Sequence, residues 1–127
     1  MVRPAAKELT ERELEIMHVF WSLGEATIGD VRAAMASAGL ERAYTTIATL
    51  VRILHEKGFL DPINDGRPAR YRPARSFEDV SRRLLGDLLE RVFKGSSEEL
   101  LVRLVEQRSL TANERVKLRK ILGEDHA

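Results

Sequence analysis

Five times along this chain a Ser or Thr stands three residues ahead of an acid: TERE (Thr10, Glu13), TIGD (Thr27, Asp30), SFED (Ser76, Asp79), SSEE (Ser96, Glu99) and TANE (Thr111, Glu114). This is the capping box or its Asp variant, in which two side chains satisfy free backbone N–H groups of a helix's first turn. Each match precedes an apolar-periodic run, so the spacing predicts helices opening near residues 11, 28, 77, 97 and 112. One such match is weak evidence, but five in register with the periodicity fix most of the helix boundaries.

The first helix is expected from about Glu11 to Leu23, with Leu14, Met17, Val19, Phe20 and Trp21 as its apolar residues and Gly24 as its stop. The second is expected over about Ile28 to Ala36, turning Ile28, Val31 and Met35 inward. A third follows in AYTTIATLVRILHEKG, where Ile47, Leu50, Val51 and Leu54 form one buried stripe and Gly58 ends the run. The period then changes. FLDPI and ARYRP read as short strands around NDG, a hairpin turn signal, and Pro62, Pro68 and Pro73 relegate them to edge or irregular pairing. From Ser76 the chain returns to helix, over about 77–94, 97–108 and 112–122. Three short helices and a hairpin make the layout of a winged helix-turn-helix. The expected fold is therefore mostly α with a minor β part: a winged helix-turn-helix domain over 1–75, then a three-helix dimerisation domain over 76–127.

Composition narrows the function. The 127 residues carry a net charge of only +1, so any basic surface must come from local clustering. With no cysteine there are no disulfides, thiolate metal sites or cysteine nucleophiles. No apolar run approaches the roughly 18 residues of a membrane span, and the N-terminus lacks a signal-peptide core, so a soluble cytoplasmic protein is expected. His18, His55 and His126 have no partners at metal-ligand spacing. No Gly-rich phosphate loop or nucleophile elbow appears. No catalytic constellation, metal or cofactor is expected.

The third helix poses the sharper question, because it carries Thr45, Thr46 and Thr49 where a merely soluble helix would carry Glu, Lys, Gln or Ala. Threonine is a poor helix former, since its branched Cβ restricts χ1. At 100° per residue, Thr45, Thr49, Arg52 and Glu56 fall opposite the apolar stripe, with Tyr44 and Thr46 leading in. Threonine can hydrogen-bond a phosphate or a base edge, its methyl packs on that of thymine, and short side chains let a helix enter the major groove. The turn GRPARYRPAR adds Arg67, Arg70, Arg72 and Arg75 with no acid. Arg70 and Arg72 are expected on one face for phosphate or minor-groove contact, and Tyr71 on the core side. The plain alternatives are an ordinary surface face and a solvated turn.

The later helices carry more apolar surface than three helices over about 50 residues can bury on each other. Leu84, Leu85, Leu88, Leu89, Val92 and Phe93 lie on the first of them. Leu100, Leu101, Leu104 and Val105 lie on the second, and Leu118 and Leu122 on the third. Pairing with a second copy through a two-fold interface is the economical solution, and it presents two reading heads to an inverted repeat.

Together, LTERELEIMHVFWSLGEATIGDV, AYTTIATLVRILHEKGFL, GRPARYRP and FKGSSEELLVRLVE…LTANERVKLRKIL resemble the BlaI/MecI/CopY family, the penicillinase-repressor type of winged-helix regulator, over about Leu9 to Leu122. The resemblance implies a homodimeric repressor on inverted-repeat operators, often with TACA and TGTA half-sites, reading through Thr45, Thr46, Ala48 and Thr49. The family usually has arginine at the position of Ile53, here displaced to Arg52, and often a longer polar residue at Ala48. Its copper-responsive branch has a C-terminal cysteine cluster that this chain lacks. In β-lactam-responsive members a sensor protease cuts an Asn–Phe bond. The matching bond is Arg103–Leu104, which makes it the candidate proteolytic switch and a sensor protease a candidate partner. Two other functions compete: a winged-helix protein-interaction module that does not read DNA, and a ligand-sensing winged-helix repressor.

Overall fold

The computed structural model describes residues 9–64, 66–107 and 110–124; His126 lies outside them. The described elements are α1 (Glu11–Leu23), β1 (Ala26–Thr27), α2 (Ile28–Ser37), α3 (Tyr44–Glu56), β2 (Leu60–Pro62), β3 (Arg70–Pro73), α4 (Phe77–Arg91), α5 (Ser97–Glu106) and α6 (Ala112–Glu124). The chain divides after Ser81 into two compact units, so the first turn of α4 belongs to the first of them.

All five capping signals form. Thr10 and Glu13 close a reciprocal box on α1, and Thr27 and Asp30 close one on α2. Thr111 and Glu114 do the same on α6, with both bonds near 3 Å. The Ser76 and Ser96 hydroxyls accept the amides of Asp79 and Glu99. Gly24 and Gly58 both take positive φ at the ends of α1 and α3, where a Cβ would be strained.

The first unit closes around α1, α2 and α3. Ile16, Met17 and Phe20 from α1, Val31 and Met35 from α2, and Ile47, Val51 and Leu54 from α3 are essentially inaccessible. Ala26, Phe59, Leu60 and Val80 complete the core. Two expectations change here. Ile16, absent from the apolar residues picked for the first helix, is fully buried, whereas Leu14, Val19 and Trp21 are half-buried at the margin. The inward-facing stripe is Glu13, Ile16, Met17 and Phe20, at helical spacings of three, one and three.

The three strands form one antiparallel sheet in the order β1-β3-β2. β3 is thus the central strand, not the edge strand its proline suggested. The register explains why. β1 reaches only Ala26↔Tyr71 and Thr27↔Arg70, so Pro73 lies beyond it and removes no bond on that side. On the other side Leu60↔Pro73, Asp61↔Arg72 and Pro62↔Tyr71 pair β2 with β3. β1, too short to announce itself, was not expected at all.

The second unit is different in kind. No residue of α5 is buried, and the one buried residue of α4, Val80, packs into the first unit. Leu84, Leu85, Leu88 and Val92 on α4 and the segment after it, Leu101, Val102 and Val105 on α5, and Val116, Ile121 and Leu122 on α6 stand exposed. Leu89, Phe93, Leu100, Leu104 and Leu118 are half-buried. α4 stops at Arg91, three residues short of the expected end, and the chain turns through Lys94 and Gly95, both at positive φ.

Candidate nucleic-acid interface

α3 shows two faces. Ile47, Val51 and Leu54 are sunk into the core, while Thr45, Thr46, Thr49 and Arg52 are exposed and Ala48 is half-covered. Leu50, expected in the buried stripe, packs against the core only at its margin. It is half-buried and, with Thr45, Thr46 and Thr49, lines a shallow hollow in the outer face. Those four side chains sit at i, i+1, i+4 and i+5, which bound a gap on any helix surface. Here the lining is three threonines and a leucine, which supply both hydroxyls and apolar groups for contact.

Both ends of α3 are pinned to α1 by ion pairs that join distant parts of the chain. Arg42, two residues before Tyr44, forks onto Glu15 with Nη2 at 3.1 Å from Oε2 and Nε at 3.3 Å from Oε1. At the other end the Lys57 ammonium sits 2.8 Å from Glu13 Oε1. Glu13 is 3% exposed, so the acid expected as a helix cap is also buried in an ion pair. Burial disfavours its charge most strongly, but Lys57, the Thr10 amide and the Thr10 hydroxyl together outweigh burial and hold the carboxyl below its usual 4.5. Neither pair was found from sequence, because partners 27 and 44 residues apart leave no local spacing signal.

The N-terminus of α3 is also distinctive. Its N-cap is Ala43, with no side-chain cap and no acid in the first turn. Its first amides are therefore left for solvent or a ligand, and the helix dipole favours a negative partner there.

Beside α3, the β2–β3 hairpin carries the arginines. Arg72 and Arg67 are exposed, and among the described residues neither has an acidic partner. Arg70 is half-buried, its guanidinium 3.8 Å from Asp30 and its amide donating to Asn64 Oδ1 at 2.9 Å. Asp30 is held below its usual range mainly by the Thr27 amide, then by the Thr27 hydroxyl, with Arg70 adding a smaller pull. Tyr71 packs against the core and lies 6.5 Å, ring to ring, from His55. Arg52 is paired along the helix with Glu56 at 3.1 Å; both side chains are more than half exposed, so the pair holds Arg52 weakly. Tyr44, at the head of α3, is 45% exposed. The first unit thus carries an exposed threonine face on α3 and, on the adjacent hairpin, Arg67 and Arg72 without an acidic partner among the described residues.

In the second unit Arg103 is paired with Glu99 and Glu106 along α5, and the bond to Leu104 lies within that helix. Among the described residues no helix is long and apolar enough to cross a membrane, and no group of three or more His, Asp or Glu is placed to hold a metal ion.

Comparison with known proteins is consistent along the chain. The penicillinase repressor family model matches residues 9–124. The methicillin resistance regulatory protein MecI of Mammaliicoccus sciuri is 26% identical over 119 residues, covering 92% of this chain and 94% of that one. The transcriptional regulator BlaI of Mycobacterium tuberculosis is 33% identical over 118 residues, covering 91% and 83%. Among solved structures, the complex structure of hsRosR-SG superposes with a TM-score of 0.53 at 18% identity and covers 95% of both chains, a likeness of fold.

Proposed function

This chain belongs to the penicillinase repressor family and is a DNA-binding transcriptional repressor, and from that premise we propose how it reads and holds its operator. α3 lies in the major groove with Thr45, Thr46, Ala48 and Thr49 toward base edges and Tyr44 at its entry. Arg52 exchanges its exposed Glu56 partner for DNA. The hairpin lays Arg67, Arg70 and Arg72 on the neighbouring backbone or minor groove. The reading domain spans 1–75, and 76–127 pairs two copies, so that a homodimer engages an inverted repeat and represses by occupying promoter DNA in the cytoplasm. The observation that carries this is the exposed threonine face of α3 together with Arg67 and Arg72 on the adjacent hairpin, which have no acidic partner among the described residues.

Phosphate contacts supply much of such an affinity, so binding to the DNA upstream of the protein's own gene should fall steeply with salt. A gel shift with competitor DNA tests this. Thr49→Ala should change the ranking of operator variants, whereas Arg72→Ala should weaken all of them and lower the salt slope by about one. Binding that ignores both sequence and salt would discard the proposal.

For induction, the Arg103–Leu104 bond is the candidate cleavage point for a sensor protease. It lies inside α5, so a protease must first unwind that helix; with no buried residue in α5, the opening costs little in a single copy.

A further inference from the structure

Arg75 belongs by sequence to the arginine-rich turn, but the structure places it differently from the other three. It lies two residues beyond the end of β3, at the base of the hairpin, and is half-buried. Its Nε donates to the Gly58 carbonyl at 3.2 Å, and its guanidinium lies over the Phe59 ring, 5.1 Å from the centroid. Its own carbonyl accepts the Trp21 indole N–H at 2.9 Å, and the neighbouring Ala74 amide donates to the Phe59 carbonyl at 2.9 Å. Gly58 and Phe59 lie in the three-residue connection, Lys57 to Phe59, that joins the end of α3 to β2. One side chain and its backbone therefore tie three things together: the exit of the hairpin, the end of the reading helix, and α1.

We propose that Arg75 is a positioning residue for operator binding: it touches no DNA, and it fixes the hairpin at the distance from α3 that lets Arg67 and Arg72 meet backbone while α3 is in the groove. This rests on the DNA-reading role of α3 and the hairpin. The chemistry suits the task. A planar guanidinium can stack on Phe59 and direct one N–H at Gly58 at the same time, which an ammonium cannot. Without that clamp, the hairpin is oriented by the short β2–β3 ladder, β1 and the packing of Leu60 and Tyr71 on the core, none of which fixes its outer end. Its tip arginines would still be present but would sample many positions, and DNA binding would have to order them again.

The test compares charge with geometry on the full-length protein, by operator affinity at several salt concentrations. Arg75→Ala should weaken binding about tenfold, as expected if several phosphate contacts are lost together. Arg75→Lys should fail to restore it, although the charge is kept. Phe59→Leu, which removes the ring and no charge, should reproduce much of the loss. In an Arg67→Ala/Arg72→Ala background, Arg75→Ala should cost little further, because the outer contacts it positions are already gone and Arg70 is held separately by Asp30 and its pairing with β1. Emission from Trp21, the only tryptophan, and the melting temperature establish that each variant is folded.

The opposite pattern overturns the proposal: Arg75→Lys binding like the parent, Phe59→Leu unchanged, and a fresh loss from Arg75→Ala on top of the double variant. That result would make Arg75 a phosphate contact and leave the DNA reading intact. If the Arg67→Ala/Arg72→Ala protein binds as well as the parent, the hairpin has no contacts to position, and the proposal falls together with that part of the reading.

Discussion

At the scale of single residues, acids and bases that look alike in the sequence do different work. Glu13 completes a helix cap and carries a buried ion pair with Lys57. Its folded pKa is depressed, so its contribution is complete above the unfolded value of 4.5 and disappears as pH falls through the lower folded value. Glu13→Gln keeps the capping geometry, since glutamine also serves at that position, but removes the charge. The variant should lose about 2 kcal/mol at pH 7, the scale of a charge-assisted hydrogen bond. The deficit should shrink as the pH is lowered below 4.5. Urea melts of parent and variant at pH 7 and near pH 3 check this; a deficit that stays constant with pH would mean the ion pair is not its source. The arginines divide in the same way: Arg42 and Arg75 hold backbone and helices in place, while Arg67 and Arg72 reach outward. Nothing in GRPARYRPAR separates Arg75 from Arg72, because what distinguishes them is the proximity of Gly58 and Phe59 in space.

At the scale of elements, capping explains why most helix starts were legible. Ser or Thr with an acid three residues on is a local signal that local geometry satisfies. α3 is the exception, headed by Ala43 and found from its apolar period and Gly58 instead. Its lack of a cap is a small cost in stability at the end of the helix we place against DNA. Ala43→Asp should therefore raise stability by about 1 kcal/mol and weaken operator binding, because the new carboxylate stands where phosphate would approach. A thermal melt and a binding titration on the same sample read both effects. Higher stability with unchanged affinity would turn the start of α3 away from the DNA backbone. The sheet was the least legible element. β1 is two residues long, and proline in β3 argued for an edge that the stagger of β1 makes unnecessary.

At the scale of the whole molecule, the two units have opposite character. The first buries a core drawn from three helices and the sheet, whereas the second leaves a row of leucines and valines in solvent. Such an apolar face in a repressor of this family is best accounted for by a second copy. Leu88→Glu, at a position 41% exposed on α4, should cost one chain little but place charges in a paired apolar face. Sedimentation should then report a monomer, and affinity for an inverted repeat should fall much further than affinity for a single half-site. A parent protein that sediments as a monomer at micromolar concentration, or a variant that stays dimeric, would exclude α4 from the interface.

What the sequence determined by itself was the order of elements, the helix starts, the threonine face of α3 and the surplus of apolar residues after Ser76. Each of these is written in spacings of a few residues, where backbone hydrogen bonding and helical or strand periodicity act directly. What only the tertiary structure decided was which residues hold those pieces in place: Glu13 with Lys57, Glu15 with Arg42, and Arg75 on Gly58 and Phe59. Those contacts join residues distant in sequence, and their partners are set by how three helices and a small sheet close on one core.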